Sequence, residues 1–250
     1  ALFSMFFGAG NLIFPPALGN MLGDKYLLGI VGFVLTGVGL PLLAILACSR
    51  GNGTFEGITN KIGVKFTLIL TTVLFFAIGP LLAIPRTAAT TFEISIFPFF
   101  PNWSPIIVMA IYFIINLFFV LRRSSIIDTI GKFLTPALII ILAIVIVKGV
   151  ISPIGEIVST DATNVLSTSL LEGYQTMDAL AALLFAGVIT SSIIDKGYKG
   201  KEINSVLLKA SIIAVIGLAF VYGGLTYIGA HTVNLVDANI SNTSLLVFIA

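Results

Sequence analysis

Residues 3–19 read FSMFFGAGNLIFPPALG. Phenylalanine, leucine and isoleucine at its two ends suit a helix in lipid. With its neighbours the run reaches the roughly 20 residues that a hydrocarbon core of about 30 Å demands at about 1.5 Å per residue. Its centre is written differently. Gly8 and Gly10 each cost a helix about 1 kcal/mol relative to alanine, and Pro15 and Pro16 withdraw two backbone donors, so this backbone is primed to unwind at membrane depth. Freed N–H and C=O groups in lipid must be satisfied by neighbouring helices, by water or by a bound solute. A packing pair of glycines or a plain kink accounts for the GxG spacing equally well. Asn11 tips the reading toward a binding site, because a buried carboxamide needs partners and its oxygen is a ligand for a hard cation.

The rest of the chain agrees with a helix in lipid. Of 250 residues, 58% are hydrophobic and 10% charged, with a mean hydropathy of +1.13, whereas soluble domains carry about 25% charged residues. A water-soluble protein, a disordered chain, collagen and a disulfide scaffold are thereby excluded. The single cysteine, Cys48, reads as a small apolar packing residue, and a net charge of +2 gives nucleic acid no reason to bind. A hydropathy window places seven segments at about 2–22, 26–48, 65–92, 104–121, 133–151, 166–194 and 206–230, with an eighth starting near Thr243. No linker divides them, so residues 1–250 read as a single, incomplete transmembrane domain. Runs such as LIIILAIVIV at 138–147 are continuously apolar, which selects an all-α polytopic membrane protein over an alternating β-barrel. The chain opens inside an apolar stretch with no initiator methionine and no basic leader, and so reads as part of a larger protein rather than one headed by a signal peptide.

Lysine and arginine set the orientation. Ten of the 13 fall on one side: Arg50, Lys61, Lys65, Arg122, Arg123, Lys132, Lys196, Lys199, Lys201 and Lys209. Lys25 and Lys148 fall on the other, and Arg86 lies inside the third segment. The positive-inside rule then places the loops after the second, fourth and sixth segments in the cytoplasm.

Residues 172–183, EGYQTMDALAAL, repeat the anomaly in the sixth segment. Gly173, Tyr174, Gln175, Thr176 and Asp178 interrupt apolar helix. A carboxylate at that depth costs about 2.5 to 3.5 kcal/mol on insertion scales, which makes Asp178 a functional candidate. Its plainer role is to N-cap a half-helix from Ala179 to Ile194, whose positive end would face the break. Segments one and six cross in opposite directions, the pattern of an inverted repeat. In such repeats, paired interruptions mark a solute site, with half-helix N-termini facing anions and freed carbonyls facing cations. An amino acid zwitterion suits this site, with its carboxylate on the amides after Gly10 and its ammonium on carbonyls from Tyr174 to Thr176.

These two runs, with the apolar segments between them in register, resemble the branched-chain amino acid:cation symporter family, the BrnQ-type carriers of the amino acid/polyamine/organocation superfamily. The resemblance spans all 250 residues. It implies the five-plus-five inverted-repeat, leucine-transporter-like fold, here truncated to about seven helices plus the start of an eighth. It also implies a bacterial plasma (inner) membrane location and import of leucine, isoleucine and valine by symport with a cation, sodium before protons. No cofactor is implied beyond that coupling ion. By motif, the substrate site falls on Gly8, Ala9, Gly10, Tyr174, Thr176 and Asp178, and the sodium ligands, the only metal ligands expected, on Asn11 and Thr176. Asp178 stands where better-known sodium symporters have a small polar residue, which leaves substrate, cation and proton open as its ligand. A second sodium site would draw on backbone near Ser4 and Phe7 and on helix eight.

Other features take plainer readings. Arg86 is expected to snorkel to an interface rather than face a watery path or pair with Glu93. His231 reads as interfacial and Trp103 as an interface anchor. A channel would show rings of repeated polar residues, and an intramembrane enzyme HExxH, GxSxG or an Asp-rich metal motif. None is present. The expected class is a carrier and not an enzyme, with a proton-coupled carrier of another small amino acid as the alternative.

Overall fold

Residues 2–50, 53–121, 130–237 and 239–250 are described by a computed structural model, and among them there is helix but no strand. The helices are α1 (Leu2–Phe6), α2 (Ala9–Leu22), α3 (Tyr26–Val34), α4 (Leu40–Arg50), α5 (Glu56–Thr59), α6 (Val64–Phe76), α7 (Ala83–Ser95), α8 (Pro105–Leu121), α9 (Thr135–Ile151), α10 (Val165–Tyr174), α11 (Asp178–Asp195), α12 (Lys201–Ala230) and α13 (Asn242–Ile249). Five stretches are long and apolar enough to cross a membrane: Ala9–Arg50, Val64–Ser95, Gly131–Ile151, Val165–Asp195 and Lys201–Ala230. Pro105–Leu121 is a shorter apolar helix. The chain is a polytopic helical membrane protein. Arg122 and Arg123, which entered the charge count, lie outside the described residues.

The first segment is two helices. α1 ends at Phe6, and α2 restarts after Gly8 in extended backbone (φ −111°, ψ −170°). Pro15 and Pro16 lie inside α2, so the helix runs through the prolines and the interruption precedes them. The two prolines donate nothing to the carbonyls of Asn11 and Leu12, the positions that an α-helix would pair with them. α2 turns at Gly23 (φ 52°) into α3, and a π-helical turn at Leu35–Gly39 leads into α4.

The sixth segment breaks at Gln175–Met177, where Met177 takes a left-handed conformation (φ 68°) and turns α10 into α11. A third break, which the sequence reading did not anticipate, lies in segment three. Gly79 (φ −80°, ψ −112°) and Leu82 (φ −127°, ψ −64°) leave the helical region between α6 and α7. Its cause is local: Pro80 has no N–H and pushes the residue before it out of helical backbone. The eighth apolar run, expected near Thr243, is the eight-residue α13. Its N-cap is Ser241, whose hydroxyl accepts from the Ser244 amide at 3.1 Å. Leu245, Leu246 and Ile249 are buried, and the helix packs on α2 and α7.

The core forms where α12 packs on α2, α10 on α3 and α11 on α4. The α2–α12 crossing is a backbone contact. A Cβ on Gly19 would overlap the Thr226 carbonyl, and one on Gly229 the Pro16 carbonyl. Small residues are what let membrane helices approach this closely. Gly229→Ala is therefore expected to cost about 1–3 kcal/mol through forced separation of the pair, read as a lower melting temperature of the detergent-solubilised protein. Gly223→Ala is the control, since a Cβ there meets only Ile30 at 3.9 Å; equal melting of the two variants would refute the close packing.

Candidate functional site

The two breaks meet. Asn11, in the first turn of α2, donates through Nδ2 to Oδ2 of Asp178 at the start of α11 and to the hydroxyl of Tyr222 on α12. Tyr222 donates in turn to the same carboxylate oxygen at 3.2 Å. Asn11 is 1% exposed, Asp178 5% and Tyr222 0%, so three polar side chains from three segments satisfy one another away from solvent. Such a cluster is tolerated in a core only because its members are paired. Phe33 packs edge-on against the Tyr222 ring at 5.2 Å and closes the cluster on the α3 side.

Each break is also held locally. The Gly8 amide donates to Asn11 Oδ1 at 2.9 Å, tying the extended residue to the helix that follows. In segment six the Thr176 hydroxyl donates to the Gly173 carbonyl at 2.9 Å and accepts from the Asp178 amide at 3.4 Å. The Met177 amide donates to the Tyr174 carbonyl at 3.0 Å. Asp178 does not cap α11: Met177 is the N-cap residue, and the carboxylate turns across to Asn11 and Tyr222. The expectation of an N-cap is corrected, because Asn11 and Tyr222 already supply the donors that a cap would seek from backbone.

The structure thus brings Gly10, Asn11, Thr176 and Asp178 to one place, with Ala9 half-buried and Gly8 exposed beside them. Tyr174 departs from the cluster, its side chain 48% exposed. Asn11 and Thr176, the expected sodium ligands, each lie one hydrogen bond from Asp178. Ser4, named for a second cation site, has a buried hydroxyl without a protein partner.

One residue was missed and another misassigned. Tyr222 was not singled out, although a tyrosine well inside an apolar segment, rather than at its edge, was a legible signal. Arg86 was expected to snorkel and does not. Its Nη1 donates to the Gln175 carbonyl at 2.9 Å and its Nη2 to the Thr176 carbonyl at 3.2 Å. The expectation is corrected, and the reason is the unforeseen break at Gly79–Leu82, just ahead of the turn that carries Arg86. The carbonyls that sequence reading offered to a substrate ammonium are in part occupied by this guanidinium.

The family described as branched-chain amino acid transport protein matches residues 1–250. Over 241 residues the chain is 39% identical to the branched-chain amino acid permease BraB of Bacillus subtilis, covering 93% of this chain and 54% of that protein. It is 38% identical over 252 residues to a putative branched-chain amino acid carrier protein of Staphylococcus haemolyticus (96% and 56% covered). It is 40% identical over 241 residues to one of Staphylococcus aureus (92% and 54%). The chain spans about half the length of these curated relatives. Their names, and the family's, are those of transport proteins and not of enzymes. No solved structure matches the chain.

Proposed function

Since this chain belongs to the branched-chain amino acid transport protein family, we propose that it contributes the broken-helix site of a secondary carrier importing leucine, isoleucine and valine by symport with sodium. The observation that supports the reading best is the joining of two interrupted membrane helices through Asn11, Asp178 and Tyr222. Broken helices offer free backbone dipoles at depth, and a buried carboxylate gives a cation a reason to bind there. Sodium travels as cargo. Asn11 Oδ1, the Thr176 hydroxyl and the Asn11 and Leu12 carbonyls, to which Pro15 and Pro16 cannot donate, are the oxygens on offer, the hard-ligand set such a cation takes. Binding energy that differs between the open and closed arrangements of the breaks then drives alternation of access.

The same reading places the chain among the BrnQ-type carriers of the amino acid/polyamine/organocation superfamily, with a five-plus-five inverted repeat relating segments one and six. It puts the loops after segments two, four and six in the cytoplasm. Proton coupling is the second reading, favoured by the burial of Asp178.

Uptake of labelled leucine by proteoliposomes containing the full-length carrier separates the two. A hundredfold inward sodium gradient supplies about 2.8 kcal/mol per ion, enough for up to about a hundredfold accumulation at one-to-one coupling. Accumulation driven by sodium at equal pH is expected. Accumulation that follows only a proton gradient would replace sodium by the proton, and indifference to both would end the symport reading.

A further inference from the structure

Arg86 is anchored by backbone carbonyls yet keeps a buried donor without a protein partner. Two backbone carbonyls at the end of α10, Gln175 and Thr176, orient its guanidinium. Its Cζ lies 5.5 Å from the centre of the Phe14 ring. Its Nη2 stands 3.0 Å from the position that a Cβ on Gly10 would take, so the group is wedged between the two broken helices. A guanidinium carries five N–H donors, of which the carbonyls take two, and Nε is buried with no protein partner. Gly10 lies in the first turn of α2, where the amides have no acceptor within the helix.

We propose that Arg86 is the specificity-determining residue that receives the carboxylate of the transported amino acid, together with the first-turn amides of α2. The assignment rests on the branched-chain carrier reading and goes beyond it by dividing the zwitterion between two fixed charges. Capping the end of α10 needs N–H donors but no net charge. A guanidinium adds a charge and a planar fork that matches a carboxylate through two parallel hydrogen bonds. Arg86 and Asp178 carry opposite charges beside the same pair of breaks, one for each end of a zwitterion. With Gln175 and Thr176 carbonyls engaged by Arg86, the ammonium goes to Asp178, and a Cβ at Gly10 would stand 3.0 Å from both the guanidinium and the Phe14 ring, so that either would have to shift.

The test compares equilibrium binding of leucine and of leucinamide, which keeps the ammonium and side chain but lacks the carboxylate, to the purified full-length carrier. The wild type is expected to prefer leucine by at least on the order of a hundredfold, as sites built to pair a polar group reject analogues without it. Arg86→Gln should lose leucine affinity by about that factor and leave leucinamide binding unchanged, so that the preference collapses. Arg86→Lys, which keeps the charge without the fork, should fall between. Measurable binding of both ligands in Arg86→Gln, weakened by the same factor, or an intact preference for leucine, overturns the assignment and returns Arg86 to a backbone-supporting role. Should Arg86→Gln bind neither ligand, Arg86→Lys decides on the same criterion: a reduced preference with leucinamide affinity kept upholds the proposal, and an equal loss overturns it. A wild type that binds none of leucine, isoleucine and valine overturns the substrate reading, and the carboxylate assignment falls with it; a wild type that binds leucine leaves only Arg86 in question.

Discussion

Asp178→Asn is expected to lower leucine uptake by about a hundredfold while leaving the carrier's abundance and melting temperature close to those of the wild type. The structure makes this substitution unusually clean. Asn11 and Tyr222 both donate to Oδ2 of Asp178, and an asparagine in the same rotamer presents its one carbonyl oxygen there. Both hydrogen bonds survive, and the amide nitrogen takes the place of Oδ1. What disappears is the charge. A carboxylate at membrane depth costs about 2.5 to 3.5 kcal/mol on insertion scales, a cost that a positively charged ligand offsets in the proposed carrier. Losing an interaction of that size corresponds to a factor of about a hundred at roughly 1.4 kcal/mol per tenfold. Asp178→Ala would confound charge with packing, since it strands two buried donors at about 1–3 kcal/mol each. Uptake in proteoliposomes alongside a melting curve of the same preparation decides the matter. Uptake near wild type in Asp178→Asn would show that the charge at Asp178 has no part in binding or coupling, and pH dependence retained there would exclude Asp178 as a proton carrier.

Asn11→Ala is expected to raise the sodium concentration for half-maximal uptake by at least about tenfold. Asn11 is the residue through which the first break, the second break and α12 are joined. It accepts from Gly8 and donates to Asp178 and Tyr222. Each such bond contributes about 1 kcal/mol, and the one to a carboxylate about 1.5–3. Removing the side chain also takes away Oδ1, which accepts from the Gly8 amide and is a cation ligand in the proposed carrier. The expected signature is selective: the sodium requirement moves further than leucine affinity measured at saturating sodium. Sodium dependence unchanged from wild type would remove Asn11 from the cation site and leave it a structural tie between the breaks.

Much of this was legible in residue order because the membrane simplifies the problem. A backbone in lipid must satisfy its own hydrogen bonds, so helix is the default and each departure from good helical sequence stands out. Gly8 and Gly10 announced the first break, and the polar run through Thr176 to Asp178 the second. The prolines counted for less than expected: Pro15 and Pro16 were read as helping the glycines to unwind the first segment, yet α2 continues through them. Pro80 looked unremarkable, yet it opens segment three between Gly79 and Leu82. Proline tells where a donor is missing; whether the helix bends, breaks or runs on depends on what neighbouring segments offer that backbone. Arg86 was misjudged for the same reason. A long cation in an apolar helix has a ready escape to the interface, and only the kink that turns it toward Gln175 and Thr176 removes that escape.

By itself, the order of residues determined that the chain lies in lipid as a bundle of helices and that segments one and six are interrupted, because hydropathy and helix propensity act over a few neighbouring residues. Only the tertiary structure decided that the interruptions face each other, that Tyr222 completes the polar cluster and that Arg86 reaches the backbone of the second break. Those contacts join residues 89 and 167 positions apart. Nothing local in a sequence encodes which buried donor will meet which buried acceptor; the packing of α2 against α12 and of α10 against α3 does, because in the membrane interior each of those groups must find its partner within the protein.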